Sequence, residues 1–241
     1  VARNDASSRA IEGLPVEKKV LTGELKGPVV ISKNGLEFEV DLLEGQKTGF
    51  FLDQSENYRA LKGLVEGGEV LDAFCYTGSW SMHAAKLGAK EVTGIDQSEG
   101  AIDGARRNAL LNRLESRCRF EAANVFDILT AYEKEGRLYD CIILDPPSFV
   151  KRRKEVENAV RGYKEINLRA MKLLRPGGFL VSCSCSYHLS QGRFRELLSD
   201  AAHDARRELR LLSFQPQPKD HPILVALPET EYLKCVVLQV L

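Results

Sequence analysis

The strongest constraint on the fold is an alternation that begins at residue 69 of a 241-residue chain. Short apolar runs, EVLDAF (69–74), EVTGID (91–96), CRFEAA (118–123), YDCIILD (139–145) and GGFLVSCSCS (177–186), are separated by segments of helical periodicity such as SWSMHAAKLGA and GAIDGARRNALLNR. Nearly continuous apolar runs belong to strands covered on both faces, and intervening helices supply the crossovers that parallel strands require. The pattern predicts an α/β fold of βαβ units with a mostly parallel sheet. ELRLLSF (208–214) and EYLKCVVLQVL (231–241) are joined by a proline-rich loop with no helix, which predicts a C-terminal antiparallel hairpin on that sheet.

Ahead of this unit the periods differ. Residues 1 to about 20 read as irregular, whereas VVISKNGLEFEVDL (29–42) alternates around Asn34-Gly35. Asparagine-glycine between alternating strands predicts a type I′ hairpin turn. In GQKTGFFLDQSENYRALKGLV (45–65) the first half reads as a loop and the second as a helix, capped by Asp53 or Ser55. These boundaries give an N-terminal hairpin and linker region, 1–45, and a main domain, 46–241.

Charge excludes less than its total suggests. Lysine plus arginine and aspartate plus glutamate number 34 each, which rules out a strongly basic protein. The zero is a cancellation: residues 1–150 hold 18 basic and 24 acidic side chains, and residues 151–241 hold 16 and 10. Nine of those 16 (Lys151, Arg152, Arg153, Lys154, Arg161, Lys164, Arg169, Lys172, Arg175) fall within 151–175, against three acids, a local strip suited to phosphate contact. No run approaches the roughly 20 apolar residues of a membrane span, and no leader is visible, so a cytoplasmic protein without membrane contact is expected. The valine start suggests that a natural N-terminal portion is absent. Six scattered cysteines lack zinc-site spacing and are expected as free thiols, with no metal bound. Cys183, Cys185 and His188 lack a fourth ligand.

In an open α/β sheet the ligand sits beyond the carboxyl ends of the strands, so residues directly after each strand carry the chemistry. The first turn, DAFCYTGSW (72–80), has one glycine where a dinucleotide fingerprint needs three, which argues against a nicotinamide or flavin. Asp96 ends the second strand, where a carboxylate can accept hydrogen bonds from both ribose hydroxyls. Asn124-Val125-Phe126-Asp127 follows the third, and Asp145-Pro146-Pro147-Ser148-Phe149 the fourth.

This ordered set resembles the Rossmann-like class I S-adenosylmethionine-dependent methyltransferases, which implies S-adenosyl-L-methionine as cofactor and a seven-stranded sheet. With GQKTGFFLDQ, LDAFCYTGSWSMHAA, DPPSFVKRRK, RGYKEINLRAMKLLRPGGFL and SCSCS, the chain is similar to bacterial ribosomal RNA cytosine-5 methyltransferases of the large-subunit methyltransferase I type, over residues 3 to 241. Members of that family typically carry an N-terminal PUA domain ahead of the hairpin region, and residues 1–241 are expected to correspond to the part that follows it. The resemblance implies large-subunit ribosomal RNA as partner and a cofactor site of Thr48, Phe51, Gln54, Asp72, Phe74, Tyr76, Thr77, Gly78, Asp96, Asn124, Val125 and Asp145. It leaves the oligomeric state unset, with a homodimer open.

Carbon 5 of cytosine is too weak a nucleophile to attack a sulfonium methyl unaided, so a thiolate must first add to carbon 6. The resemblance places that nucleophile at Cys185, within Ser184-Cys185-Ser186. Cys183, two residues earlier on the same strand face, reads as a core residue. Asp145 is implied to bind the cytosine amino and ring-nitrogen edge. Phe149, Lys151, Arg152 and Arg153 are expected to face substrate, although Phe149 equally suits packing against the sheet. Where relatives carry a second cysteine stands Ser148, so the base that takes the carbon-5 proton is not identified. Ser55 replaces a usual arginine, with Gln54 or Arg59 as substitutes at the methionine end. Asn124 replaces aspartate and retains an acceptor for the adenine amino group. His221 suits substrate contact or loop structure. Guanine-N7 or exocyclic-amine methylation, and a non-catalytic cofactor-binding assembly factor, are the alternatives; Cys185 and Asp145 discriminate against both.

Overall fold

The computed structural model describes residues 1–149 and 156–241. The elements are β1 (Ala2–Asn4), α1 (Ser7–Ile11), β2 (Glu17–Lys19), β3 (Val29–Lys33), β4 (Leu36–Val40), β5 (Glu69–Ala73), α2 (Ser79–Lys86), β6 (Glu91–Asp96), α3 (Glu99–Leu111), β7 (Cys118–Ala122), α4 (Val125–Glu135), β8 (Tyr139–Leu144), α5 (Val156–Lys172), β9 (Leu174–Ser184), α6 (Gln191–Ala205), β10 (Leu209–Gln215) and β11 (Lys234–Val240).

Seven strands form one sheet in the order β10-β11-β9-β8-β5-β6-β7. β5 pairs in parallel with both β6 and β8, so strand order reverses at β5 and a crevice opens between its carboxyl end and that of β8. The predicted C-terminal hairpin is present, and β11 inserts between β9 and β10, antiparallel to both. Among the described residues, only β11 therefore runs against the sheet. Its first residue, Lys234, lies opposite Ser184 at the same end as the crevice.

Alternate residues of the central strands supply two cores. On β8, Ile142 and Leu144 face α4, α5 and α6, while Cys141 and Ile143 face the core that includes residues of α2 and the β3–β4 hairpin. This is why the runs read as apolar without a gap.

The β3–β4 hairpin turns through Asn34 (φ 53°) and Gly35 (φ 71°), the double left-handed geometry of a type I′ turn. Leu36, Phe38 and Val40 are buried against Tyr58, Trp80 and Met82. Helix α3 holds the hairpin by side-chain amides: Asn108 Oδ1 accepts from Glu39 N at 2.8 Å, and Asn112 Oδ1 accepts from Glu37 N at 2.9 Å.

Two local expectations are corrected. Residues 1–20 are not irregular, because β1 pairs antiparallel with β2 around α1. Their order comes from afar: Arg3 donates to the carbonyls of Leu42 at 3.2 Å and Gly45 at 2.9 Å, which no local period records. In place of a helix in the second half of 45–65 there are two 3₁₀ turns, Leu52–Gln54 and Asn57–Leu61, and neither Asp53 nor Ser55 is the N-cap of either, Ser55 instead ending the first. The Asp53 carboxylate is drawn to Lys47 and Tyr232, and buried Gln54 and Asn57 bond each other at 2.7 Å, so polar pairing overrides helical periodicity.

Candidate active site

A cavity opens at the carboxyl ends of β5, β6, β8 and β9 beneath the 46–54 segment. Its wall brings together Phe51, Gln54, Phe74, Tyr76, Asp96, Asn124, Val125, Asp145, Phe149 and Cys185, contributed by six separate stretches of sequence. Thr48 is exposed and outside the wall. Asp72 is fully buried away from the wall, where it accepts from Ser81 Oγ at 2.5 Å. Burial raises its carboxyl to about 7.

Thr77 and Gly78 also fall outside the wall and serve the packing of α2 on α3. The Thr77 carbonyl accepts from Asn108 Nδ2 at 2.9 Å. A Cβ on Gly78, which has φ +83°, would sit 3.2 Å from Ala105 and 3.3 Å from Phe120. That glycine is thus required by close approach and by its left-handed backbone. Lys151, Arg152 and Arg153 lie outside the described residues.

The turn after β5 is shaped by two non-glycine residues with positive φ, Phe74 (68°) and Tyr76 (50°). Such conformations cost about 1 kcal/mol or more each and persist where surrounding contacts fix them. Here Cys75 N donates to Ile95 O at 2.9 Å and Tyr76 N donates to Asp96 Oδ2 at 3.0 Å. Asp96 Oδ1 accepts from Ser98 N at 3.0 Å, so the carboxylate is held at the cavity edge. Asn124 also lines the wall, but its side-chain oxygen caps α4, accepting from Phe126 N at 2.9 Å and Asp127 N at 3.4 Å. The acceptor expected there for adenine is therefore already engaged by the helix terminus.

Asp145 is held through both of its carboxylate oxygens. Gln54 Nε2 donates to its Oδ1 and Trp80 Nε1 to its Oδ2, both at 2.9 Å. Burial nevertheless raises its carboxyl to about 6, against the two donors and Lys47, which favour the charged form. Trp80 escaped the sequence reading because it sits one residue inside α2 and resembles a core aromatic. Below it, Tyr58 stacks on His83 with centroids 4.1 Å apart.

Among the six cysteines, all of them described, Cys185 alone is not fully buried. Its Sγ lies 4.0 Å from the Pro146 carbonyl, and burial followed by nearby Asp145 pushes the thiol up to about 11. Cys183 is sealed in the core opposite Cys235. The backbone beyond Cys185 is pinned by fully buried Ser186, whose Oγ lies 2.9 Å from both Tyr163 Oη and Ser148 Oγ. Lys234, also buried, donates to the carbonyls of Ser186 at 2.7 Å and Leu189 at 2.8 Å. Phe149 makes ring contacts with Phe74, Phe126 and Tyr163, so it packs in an aromatic cluster while lining the wall.

Neither proposed substitute for the missing arginine is a cation in this wall: Gln54 is committed to Asp145, and Arg59 is exposed elsewhere. Ser55 is buried outside the wall. The basic strip is also divided. Lys164 pairs with Asp204, Arg169 with Glu133 and Glu165, Lys172 with Glu133, and Arg175 with Glu69 and Asp140 at the opposite end of the sheet. His221 pairs with Asp220 at 3.1 Å and does not line the cavity. Among the described residues, no three His, Cys, Asp or Glu side chains are grouped to hold a metal ion.

Phe74, Val125 and Phe126 give the wall an apolar stretch suited to a flat heterocycle, Asp96 a carboxylate suited to hydroxyl groups, and the three wall carboxylates (Asp53, Asp96, Asp145) suit a positively charged ligand. A family model described as S-adenosylmethionine-dependent methyltransferase matches residues 16–223. The chain belongs to this methyltransferase family. It is 44% identical over 241 residues to ribosomal RNA large subunit methyltransferase I of Shewanella amazonensis, covering 99% of this chain and 61% of that protein. It is likewise 44% identical to the protein of that name from Aeromonas hydrophila, covering 98% and 60%. The chain thus spans about three-fifths of these relatives. The crystal structure of SMU.776 in complex with SAH superposes with a TM-score of 0.83 at 25% identity, covering 93% of this chain and 59% of that one.

Proposed function

We propose that this chain is the catalytic part of an enzyme that forms 5-methylcytosine in large-subunit ribosomal RNA through a covalent adduct at Cys185. It acts in the cytoplasm; among the described residues, no helix is long and apolar enough to cross a membrane. The observation that carries the reading is the pairing of Cys185 and Asp145 on one cavity wall while the neighbouring Cys183 is sealed away. The names of the relatives support ribosomal RNA as substrate. Lys151, Arg152 and Arg153 directly follow the Asp145 loop and are assigned to RNA phosphates.

Cys185 bonds to carbon 6 of a flipped cytosine, and the electrons of the carbon 5–carbon 6 double bond shift toward ring nitrogen 3. Nitrogen 3 takes up a proton as the thiol loses one. Asp145, with its carboxyl near 6 and fixed by Trp80 and Gln54, is suited to pass that proton and to hold the amino edge. When bound, S-adenosylmethionine supplies an electrophilic methyl group to the carbon 5 so activated. A base then takes the carbon-5 proton, Cys185 leaves as the thiolate and recovers the nitrogen-3 proton through Asp145, and the ring is restored with the demethylated cofactor, S-adenosylhomocysteine, as the other product. Because burial holds the free thiol near 11, its deprotonation belongs to the bound complex.

Large-subunit RNA containing 5-fluorocytidine tests this, because fluorine at carbon 5 cannot leave as a proton and the adduct persists. The wild-type chain with cofactor is expected to crosslink, Cys185→Ala to give no crosslink, and Cys183→Ala to keep most of it. Methylation without a Cys185-dependent crosslink sinks the mechanism.

A further inference from the structure

We propose that Lys47 binds the carboxylate at the methionine end of the cofactor. The inference rests on family membership and is independent of the cytosine reading. Among the described residues lining the cavity, Lys47 is the one lysine or arginine, in a wall that also carries the carboxylates of Asp53, Asp96 and Asp145. S-adenosylmethionine carries a sulfonium and an ammonium but a single carboxylate. The wall therefore mirrors the ligand: several acids for its positive groups and one ammonium for its anion.

The ammonium is placed rather than free to wander. Lys47 Nζ donates to Asp53 Oδ2 at 3.0 Å and sits 4.7 Å from the centroid of the Phe51 ring. Asp53 is itself fixed, since Tyr232 Oη donates to the same oxygen at 2.8 Å. Gln46 N donates to Tyr76 Oη at 3.0 Å, tying the segment to the turn after β5. Lys47 adopts φ 50°, a left-handed conformation that a lysine takes only under such constraint. An ammonium has three N–H donors. Asp53 takes one, and a side chain 51% exposed keeps others for a ligand.

The position along the cavity selects the anion. Lys47 acts electrostatically on both Asp145 and Cys185, at the reacting end, whereas Asp96 marks the ribose end. A ligand laid from Asp96 toward Asp145 brings its amino-acid end to Lys47.

Calorimetric titration compares S-adenosylhomocysteine, which has the carboxylate, with 5′-methylthioadenosine, which lacks the whole amino-acid end. Lys47→Met is expected to weaken S-adenosylhomocysteine about tenfold, as loss of one charge-assisted hydrogen bond predicts. Methylthioadenosine should change less than about twofold, and Lys47→Arg should keep most of the affinity for both. The double variant Lys47→Met/Asp53→Asn, which leaves no unpaired buried acid, should show the same selective loss. Equal weakening of both ligands, or unchanged S-adenosylhomocysteine affinity, overturns the assignment. So does a variant that loses only salt-sensitive RNA binding, since its anion is then a phosphate. The Cys185 crosslink is unaffected by which carboxylate contact is correct, so the two readings fail separately.

Discussion

His83 shows how one residue reports its surroundings. Its Nδ1–H donates to Ser79 O at 2.7 Å, its Nε2 accepts from Asn34 at 3.3 Å, and it stacks on Tyr58, so the neutral ring satisfies the site. Burial lowers it from 6.5 to about 4. Between those values the unfolded chain binds the proton that the folded chain refuses, so stability present above pH 6.5 is lost as pH falls toward 4. On going from pH 7 to 4.5, urea denaturation should show the wild type losing about 2–3 kcal/mol more than His83→Gln. An equal loss in both proteins would contradict a buried neutral ring. Asp72 runs the other way: its raised carboxyl takes up a proton in the folded state, so stability falls as pH rises from about 4 to about 7. Comparison with the variant, rather than the wild-type curve alone, therefore isolates His83.

Among the elements, the junction between the β3–β4 hairpin and α3 is held by amides. Asn108 is fully buried, accepts from Glu39 N and donates to Thr77 O, linking hairpin, cofactor turn and helix. Asn108→Ala leaves both backbone partners short of a bond and is expected to cost about 2–4 kcal/mol in chemical denaturation. Asn112→Ala, nearer the surface, should cost less than about 1 kcal/mol. The type I′ turn at the tip of this hairpin was legible in Asn34-Gly35, because the turn demands positive φ at two adjacent residues. The 3₁₀ turns of residues 52–61 were not legible. Buried Tyr58, Leu61 and Val65 recur at the i, i+3, i+7 spacing of a helix, yet the polar side chains just before them, Asp53, Gln54 and Asn57, bond across the fold and to each other and hold the backbone off it.

For the whole molecule, the boundary expected at residue 45 from the sequence runs through a shared core. Leu36, Phe38 and Val40 are 4%, 0% and 2% exposed and share one core with α2. At about 1.5–3 kcal/mol for each buried side chain, they contribute an amount comparable to the net stability of a domain. We expect a chain starting at residue 46 to be insoluble or to lose its cooperative thermal transition, and the intact chain to melt in one step by circular dichroism. A soluble 46–241 fragment with a sharp transition would show instead that the hairpin region is an independent appendage.

The sequence by itself determined the sheet, the order in which strands and helices alternate, the hairpin turn and the strand ends that carry Asp96, Asp145 and Cys185. Those features follow from local periodicity, since burial on two faces writes itself into a few consecutive residues. Only the tertiary structure decided which side chains share the cavity. It turned Thr77 and Gly78 toward α3, committed the Asn124 oxygen to a helix cap, split the basic strip among internal ion pairs and set Trp80 on Asp145. It also brought Tyr232 to Asp53 across 179 positions of chain, thereby fixing Lys47. Such pairings depend on how distant segments converge, and a contact between distant residues leaves no period in the sequence near either partner.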